Sequence, residues 1–146
     1  MKQKFINLYM DWARRCAELS HARRLQVGAV IVKDDTVISY GYNGMPAGWD
    51  NNCEDIISLA WEDEDLHNLK TRAEVLHAES NAIAKLARST NSGLGATLFV
   101  THSPCLQCAK LILQSGISSV YYNENYRDDS GLTFLEKSGI IVEQIK

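Results

Sequence analysis

The 146-residue chain predicts an α/β fold, one sheet with helices on its faces. Three observations carry this. Stretches with apolar residues every three to four positions alternate with short β-branched runs. The first two such runs follow each other closely enough to form a hairpin. The later runs are separated by helix-forming segments, as strands of a partly parallel sheet must be.

The elements follow in order. Residues 3 to about 20 predict a helix whose apolar stripe is Phe5, Leu8, Trp12, Cys16 and Leu19. Residues 20–26 form a polar connection carrying Arg23 and Arg24. Residues 28–32 are an unbroken apolar run, the pattern of a strand buried on both faces. Residues 33–36 predict a turn and residues 37–40 a second strand. Three glycines and Pro46 within residues 41–48 predict a shaped loop. Between residues 49 and 71, Ile56, Leu59 and Ala60 suit a short helix, and Glu62, Asp63, Glu64 and Asp65 a solvated acidic turn. A helix over 77–87 turns Ala82, Ile83, Leu86 and Ala87 to the core, and residues 91–95 end it. A strand follows at 96–101, then a helix from near Cys105 to Gly116, a strand at 119–122, a helix over 132–137, and a last strand from Ile140. One domain spans 1–146, with no internal repeat or linker.

Composition narrows the class. The formal net charge of −3 leaves no basic footprint for nucleic acid. No apolar run has membrane-spanning length, and no secretory core follows the basic start. The four cysteines, Cys16, Cys53, Cys105 and Cys108, therefore point to a reduced cytosolic setting and metal use more than to disulfides.

The chemistry is concentrated between residues 77 and 108. His77-Ala78-Glu79 opens the stretch and Pro104-Cys105-Leu106-Gln107-Cys108 closes it. One imidazole and two thiolates are zinc ligands, and three protein ligands leave a tetrahedral position open, the pattern of a catalytic zinc. Cys105 and Cys108, three apart at a helix start, share a face where backbone N–H groups and the helix dipole favour thiolates. Zinc lowers the pKa of bound water to about 7, and Glu79 is the carboxylate tied to the motif, fit to move protons rather than to ligate. This H-x-E…P-C-x-x-C pattern is the signature of zinc-dependent nucleobase deaminases. A structural zinc would need a fourth ligand, and Cys16, Cys53, His21, His67 and His102 have no motif-grade spacing to the trio.

Beyond this signature, the chain resembles the deoxycytidylate (dCMP) deaminases over nearly its whole length. The matching blocks are residues 26–30 (QVGAV), 41–46 (GYNGMP), 77–83 (HAESNAI), 103–110 (SPCLQCAK), and Tyr126-Arg127 followed by Gly131. The resemblance implies a three-layer cytidine-deaminase-like fold, a five-stranded mixed sheet flanked by helices. It implies hydrolysis of dCMP to dUMP and ammonia for dTTP synthesis, in the cytoplasm (of a host, if the source is viral), with one catalytic zinc per chain. Asn43 would bond the sugar hydroxyl and Tyr126 would contact the nucleotide, with Ser103 and Ala78 lining the same site. Activation by dCTP, with Mg2+, and inhibition by dTTP would act near Gly41, Tyr42 and Gly44. Arg23, Arg24 and Arg127 are candidate phosphate partners, suited by the guanidinium fork. A homohexamer is implied, with Arg88 at subunit contacts, and neither nucleic acid nor membrane as partner. A second zinc, which some members carry, has only Cys53 and His67 to draw on here. Rival readings are deamination of dCTP or of tRNA adenosine on the same zinc core, and a non-catalytic zinc module that binds nucleotides.

Overall fold

A computed structural model describes residues 1–57 and 68–146. The expectations for Leu59, Ala60, His67 and the acidic run 62–65 lie outside the described residues. Four helices and seven strands are found there: α1 (Gln3–Ala17), β1 (Gly28–Lys33), β2 (Thr36–Tyr42), β3 (Glu54–Ile56), β4 (Leu69–Thr71), α2 (Ala78–Ala87), β5 (Thr97–His102), α3 (Leu106–Gln114), β6 (Ser119–Glu124), α4 (Ser130–Lys137) and β7 (Ile141–Gln144).

The five-stranded sheet runs β2-β1-β5-β6-β7. The hairpin and the β1–β5 pair are antiparallel, while β5–β6 and β6–β7 are parallel. The sheet is thus mixed, as expected. Both turn residues of the hairpin, Asp34 and Asp35, have positive φ (51° and 59°), the twist that suits a two-residue connection.

Successive residues of β1 serve opposite faces, which is why its sequence is continuously apolar. Ala29 and Ile31 join Leu98, Val100 and Val120 beneath α2, α3 and α4, with Ala82, Leu86, Ile112 and Leu135 supplied by those helices. Val30 and Val32 join Phe99 beneath α1. Phe99 stacks on Tyr121 with centroids 5.0 Å apart.

Helix α1 buries a different face from the expected one. Ile6, Tyr9, Met10, Ala13, Cys16 and Ala17 are buried, whereas Phe5, Leu8, Trp12 and Leu19 are 37–54% exposed. The cause is a close approach: a Cβ at Gly28 would lie 2.0 Å from Ala13 O. Ala13 and Ala17 fit against Gly28, and Ile6, Tyr9 and Met10 on the same face pack with Val30, Val32 and Phe99, so this face docks and the stripe of Phe5, Leu8 and Trp12 does not.

The loop expected from residue 41 begins later. Gly41 and Tyr42 continue β2, because Gly41 is the point where that strand presses on α2. A Cβ there would meet Ala78 O at 2.3 Å and Ala82 N at 2.8 Å. The Ser39 hydroxyl donates to Ala82 O at 2.6 Å across the same contact. Ala87, expected in the core, is exposed at the end of α2. Ile56, expected in a short helix, instead ends β3 and is exposed, because Glu54–Ile56 pairs with Leu69–Thr71 in a ribbon of three residues each. Among the described residues no helix is long and apolar enough to cross a membrane.

Candidate active site

Two helix starts converge on one end of the sheet. His77 is the N-cap of α2 and Cys105 the N-cap of α3, both with extended backbone. Leu76, just before His77, exchanges two backbone hydrogen bonds with Gly44 (3.0 and 2.8 Å), so the chain leaving β2 fixes where α2 begins. The Asn81 amide donates to Tyr42 O at 2.8 Å and ties the first turn of α2 to β2. On the other side α4 presses on the entry to α3: a Cβ at Gly131 would lie 2.1 Å from Pro104 O.

His77, Cys105 and Cys108 offer ligand atoms that all lie within 4.8 Å of one another. His77 Nδ1 stands 3.6 Å from Cys105 Sγ and 3.3 Å from Cys108 Sγ. A tetrahedral zinc with ordinary Zn–N and Zn–S bonds needs such an edge to be about 3.6 Å. One borderline nitrogen and two soft sulfurs are also the donor set zinc prefers over hard cations. The trio therefore fits a zinc ion.

Electrostatics agree with a ligand cluster. The hydrogen bond from Cys108, and the neighbouring His77, bring the Cys105 thiol down to about 4. Cys108, which gives that bond and is buried, is pushed up. The hydrogen bond to Cys105 raises His77, against its partial burial. Glu79, 4% exposed in the first turn of α2, is raised by desolvation, which the Cys108 hydrogen bond and the charge of His77 only partly offset.

These groups form the floor of a cavity of about 770 Å³. His77, Ala78, Glu79 and Cys105 line it, and Cys108 sits behind them. Arg24, Asn43, Ser103, Tyr126 and Arg127 line the walls, so nine of the sequence-selected residues share one space. Gly41, Tyr42 and Gly44 do not line it; they lie behind α2 and position it.

Several wall residues are already engaged. The Asn43 amide accepts from Val27 N–H (2.9 Å) and donates to Leu25 O (2.8 Å), which leaves one proton and one lone pair for a ligand. Ser103 Oγ accepts the Tyr126 N–H at 2.7 Å, holding that rim in place. Arg24 donates to Thr71 Oγ1 at 3.4 Å. Cys53 packs with Ala22, Val75 and Met45, and burial pushes its thiol up.

The sequence marked none of Glu54, Lys70, Thr71, Glu124 and Asn125, and offered His102 only as a fourth ligand for a structural zinc, yet all of them line the cavity. His102 accepts from the Thr101 hydroxyl through Nδ1 (2.9 Å) and faces Glu124 through Nε2 (3.3 Å), a pairing visible only once β5 lies beside β6. Burial holds its pKa below the ordinary value, with Glu124 opposing.

Comparison with known proteins places these observations. The family model for the cytidine and deoxycytidylate deaminase zinc-binding region matches residues 3–124. ComE operon protein 2 of Bacillus subtilis is 38% identical over 139 residues, 94% of this chain and 69% of that protein. Deoxycytidylate deaminase of Saccharomyces cerevisiae is 37% identical over 145 residues, 99% of this chain but 46% of the yeast protein. The crystal structure of dCMP deaminase from the cyanophage S-TIM5 in complex with dCMP and dUMP has a TM-score of 0.88 at 38% identity, covering 99% of both chains.

Proposed function

This chain belongs to the cytidine and deoxycytidylate deaminase zinc-binding family, and from that premise we propose that it hydrolyses dCMP to dUMP and ammonia, supplying dUMP for dTTP synthesis. The observation that carries the proposal is the convergence of His77, Cys105 and Cys108 with buried Glu79 on the floor of one cavity. The cyanophage relative, similar over 99% of both chains, is in complex with this substrate and product.

His77, Cys105 and Cys108 would hold the zinc, which when bound supplies an acidified water as nucleophile. Glu79 would take one proton of the attacking water and deliver it to the ring nitrogen, while the water oxygen bonds to the adjacent amino-bearing carbon. Glu79 would then take the remaining proton of the added hydroxyl and carry it to the amine, so that the C–N bond breaks as the ring carbonyl forms and ammonia leaves. A carboxyl raised by burial can hold a proton nearer neutrality than an exposed one, which suits a group that must both take and give. Asn43, Ala78, Ser103 and Tyr126 orient base and sugar, and water is displaced from the floor as the base enters.

The same reading carries activation by dCTP with Mg2+, inhibition by dTTP through the segment of Gly41, Tyr42 and Gly44, and assembly into a cytoplasmic homohexamer. The test is ammonia release, and the accompanying ultraviolet change, from dCMP, dCTP, cytidine and tRNA offered to the zinc-loaded protein. Release from dCMP is expected, faster with dCTP and Mg2+ and slower with dTTP. No release from dCMP with zinc bound and dCTP plus Mg2+ present overturns the proposal.

A further inference from the structure

The cavity wall also contains a carboxylate that the chemistry does not use. Glu54 begins β3, its side chain is 1% exposed, and it lines the cavity. One oxygen, Oε2, accepts the backbone N–H groups of both Arg23 (2.9 Å) and Arg24 (2.8 Å), and Oε1 lies 3.3 Å from Arg23 N. The carboxylate is therefore occupied by the main chain of a segment thirty residues earlier.

The two arginines of that segment have different fates. Arg23 is turned to the loop before β3: its guanidinium donates to Asn52 Oδ1 at 3.0 Å and approaches Glu54 Oε1 at 3.7 Å. It does not line the cavity. Arg24 does, beside Lys70 and Thr71 of β4. Among the described residues it makes one long hydrogen bond, to Thr71 Oγ1, and no ion pair. Guanidinium is weakly hydrated and forked for phosphate oxygens, so a cation held at the wall with spare donors is a phosphate partner in waiting.

We propose that Glu54 is a positioning residue: it clamps the Arg23–Arg24 backbone so that the Arg24 guanidinium meets the phosphate of the nucleotide in the cavity. The assignment rests on the nucleotide reading above and adds a residue to it. It also separates two adjacent arginines that the sequence left equivalent. Glu54 touches no substrate; it acts through Arg24. With the clamp released, the segment loses its anchor and the guanidinium is no longer presented to the phosphate.

The experiment compares binding of dUMP and of deoxyuridine, by calorimetry, to the zinc-loaded full chain and to Arg24→Ala, Glu54→Gln and the double variant. Arg24→Ala and Glu54→Gln should each weaken dUMP by about tenfold or more, the scale of a charged hydrogen bond. Deoxyuridine should bind all four proteins alike. The double variant should bind dUMP no more weakly than Arg24→Ala alone, because both changes remove one interaction. Unchanged dUMP affinity in Glu54→Gln, equal loss of dUMP and deoxyuridine, or losses that multiply in the double variant overturns the clamp. If Glu54→Gln does not fold, Glu54→Asp, which keeps the charge on a shorter arm, carries the same comparison. Absence of dCMP turnover by the wild type counts against the nucleotide reading itself; turnover with full dUMP affinity in Glu54→Gln counts against the clamp alone.

Discussion

The floor of the cavity and its far wall are built on different plans. The floor takes His77 and Glu79 from the start of one helix and Cys105 and Cys108 from the start of another, four groups delivered by two short stretches of chain. The far wall gathers Arg24, Asn43, Glu54, Thr71 and Tyr126 from connections and a three-residue ribbon, held by hydrogen bonds such as Glu54 to Arg24 and Ser103 to Tyr126. The floor's geometry follows from helix spacing, and the wall's from tertiary contact. The floor groups sit at helix starts, and most of the wall residues sit on connecting segments, where recognition is commonly carried. Damage to the floor should therefore act on the metal and on kcat, and damage to the wall on KM.

The largest effect should come from the floor. Cys105→Ala leaves two of three ligands, so zinc content should fall well below one per chain and turnover should vanish; metal analysis beside an ammonia assay checks this. A full complement of zinc in that variant would mean that the floor is misassigned. Gly131→Val is next. Its Cβ would meet Pro104 O, and overpacking of this sort costs about 1–3 kcal/mol. The urea midpoint should fall, and because the strain bears on the start of α3, zinc affinity should fall with it.

Ser103→Ala tests the wall. It removes the acceptor of the Tyr126 N–H, which costs about 1–3 kcal/mol locally. KM for dCMP should rise several-fold while kcat changes less; equal loss in both would blur the division between floor and wall.

How much of this was legible beforehand divides along the same line. His77, Glu79, Cys105 and Cys108 could be named from the chain because spacings of two and three residues already set their geometry on a helix. The central strands were also legible, since residues 28–32, 96–101 and 119–122 carry β-branched and aromatic residues, but their order in the sheet comes only from tertiary pairing. Glu54 was not, since nothing near it in sequence marks a carboxylate that will serve N–H groups thirty positions away. The face of α1 was misread because two apolar stripes compete on it, and only the one carrying Ala13 and Ala17 can approach Gly28 closely. Gly41 was read as a loop residue, though its lack of a side chain serves the contact of β2 with α2.

The smallest effect concerns His102, at the edge between the two regions. Its pKa is below the ordinary 6.5 because burial disfavours the imidazolium. The unfolded chain therefore takes up this proton first as pH falls. The stability contributed by neutral His102 is fully present above about pH 6.5 and is lost as pH drops below that value. His102→Gln should flatten this part of the stability profile, measured by urea unfolding between about pH 7 and pH 5. A steeper slope in the variant would reverse the sign argued here.

The claim on which the rest depends is that the floor is a catalytic zinc site worked by Glu79. Zinc content and dCMP turnover measured together on Glu79→Gln test it most directly. The account predicts one zinc per chain with kcat reduced by about 100-fold or more, the range of a lost acid–base group. Wild-type turnover at one zinc per chain would contradict it.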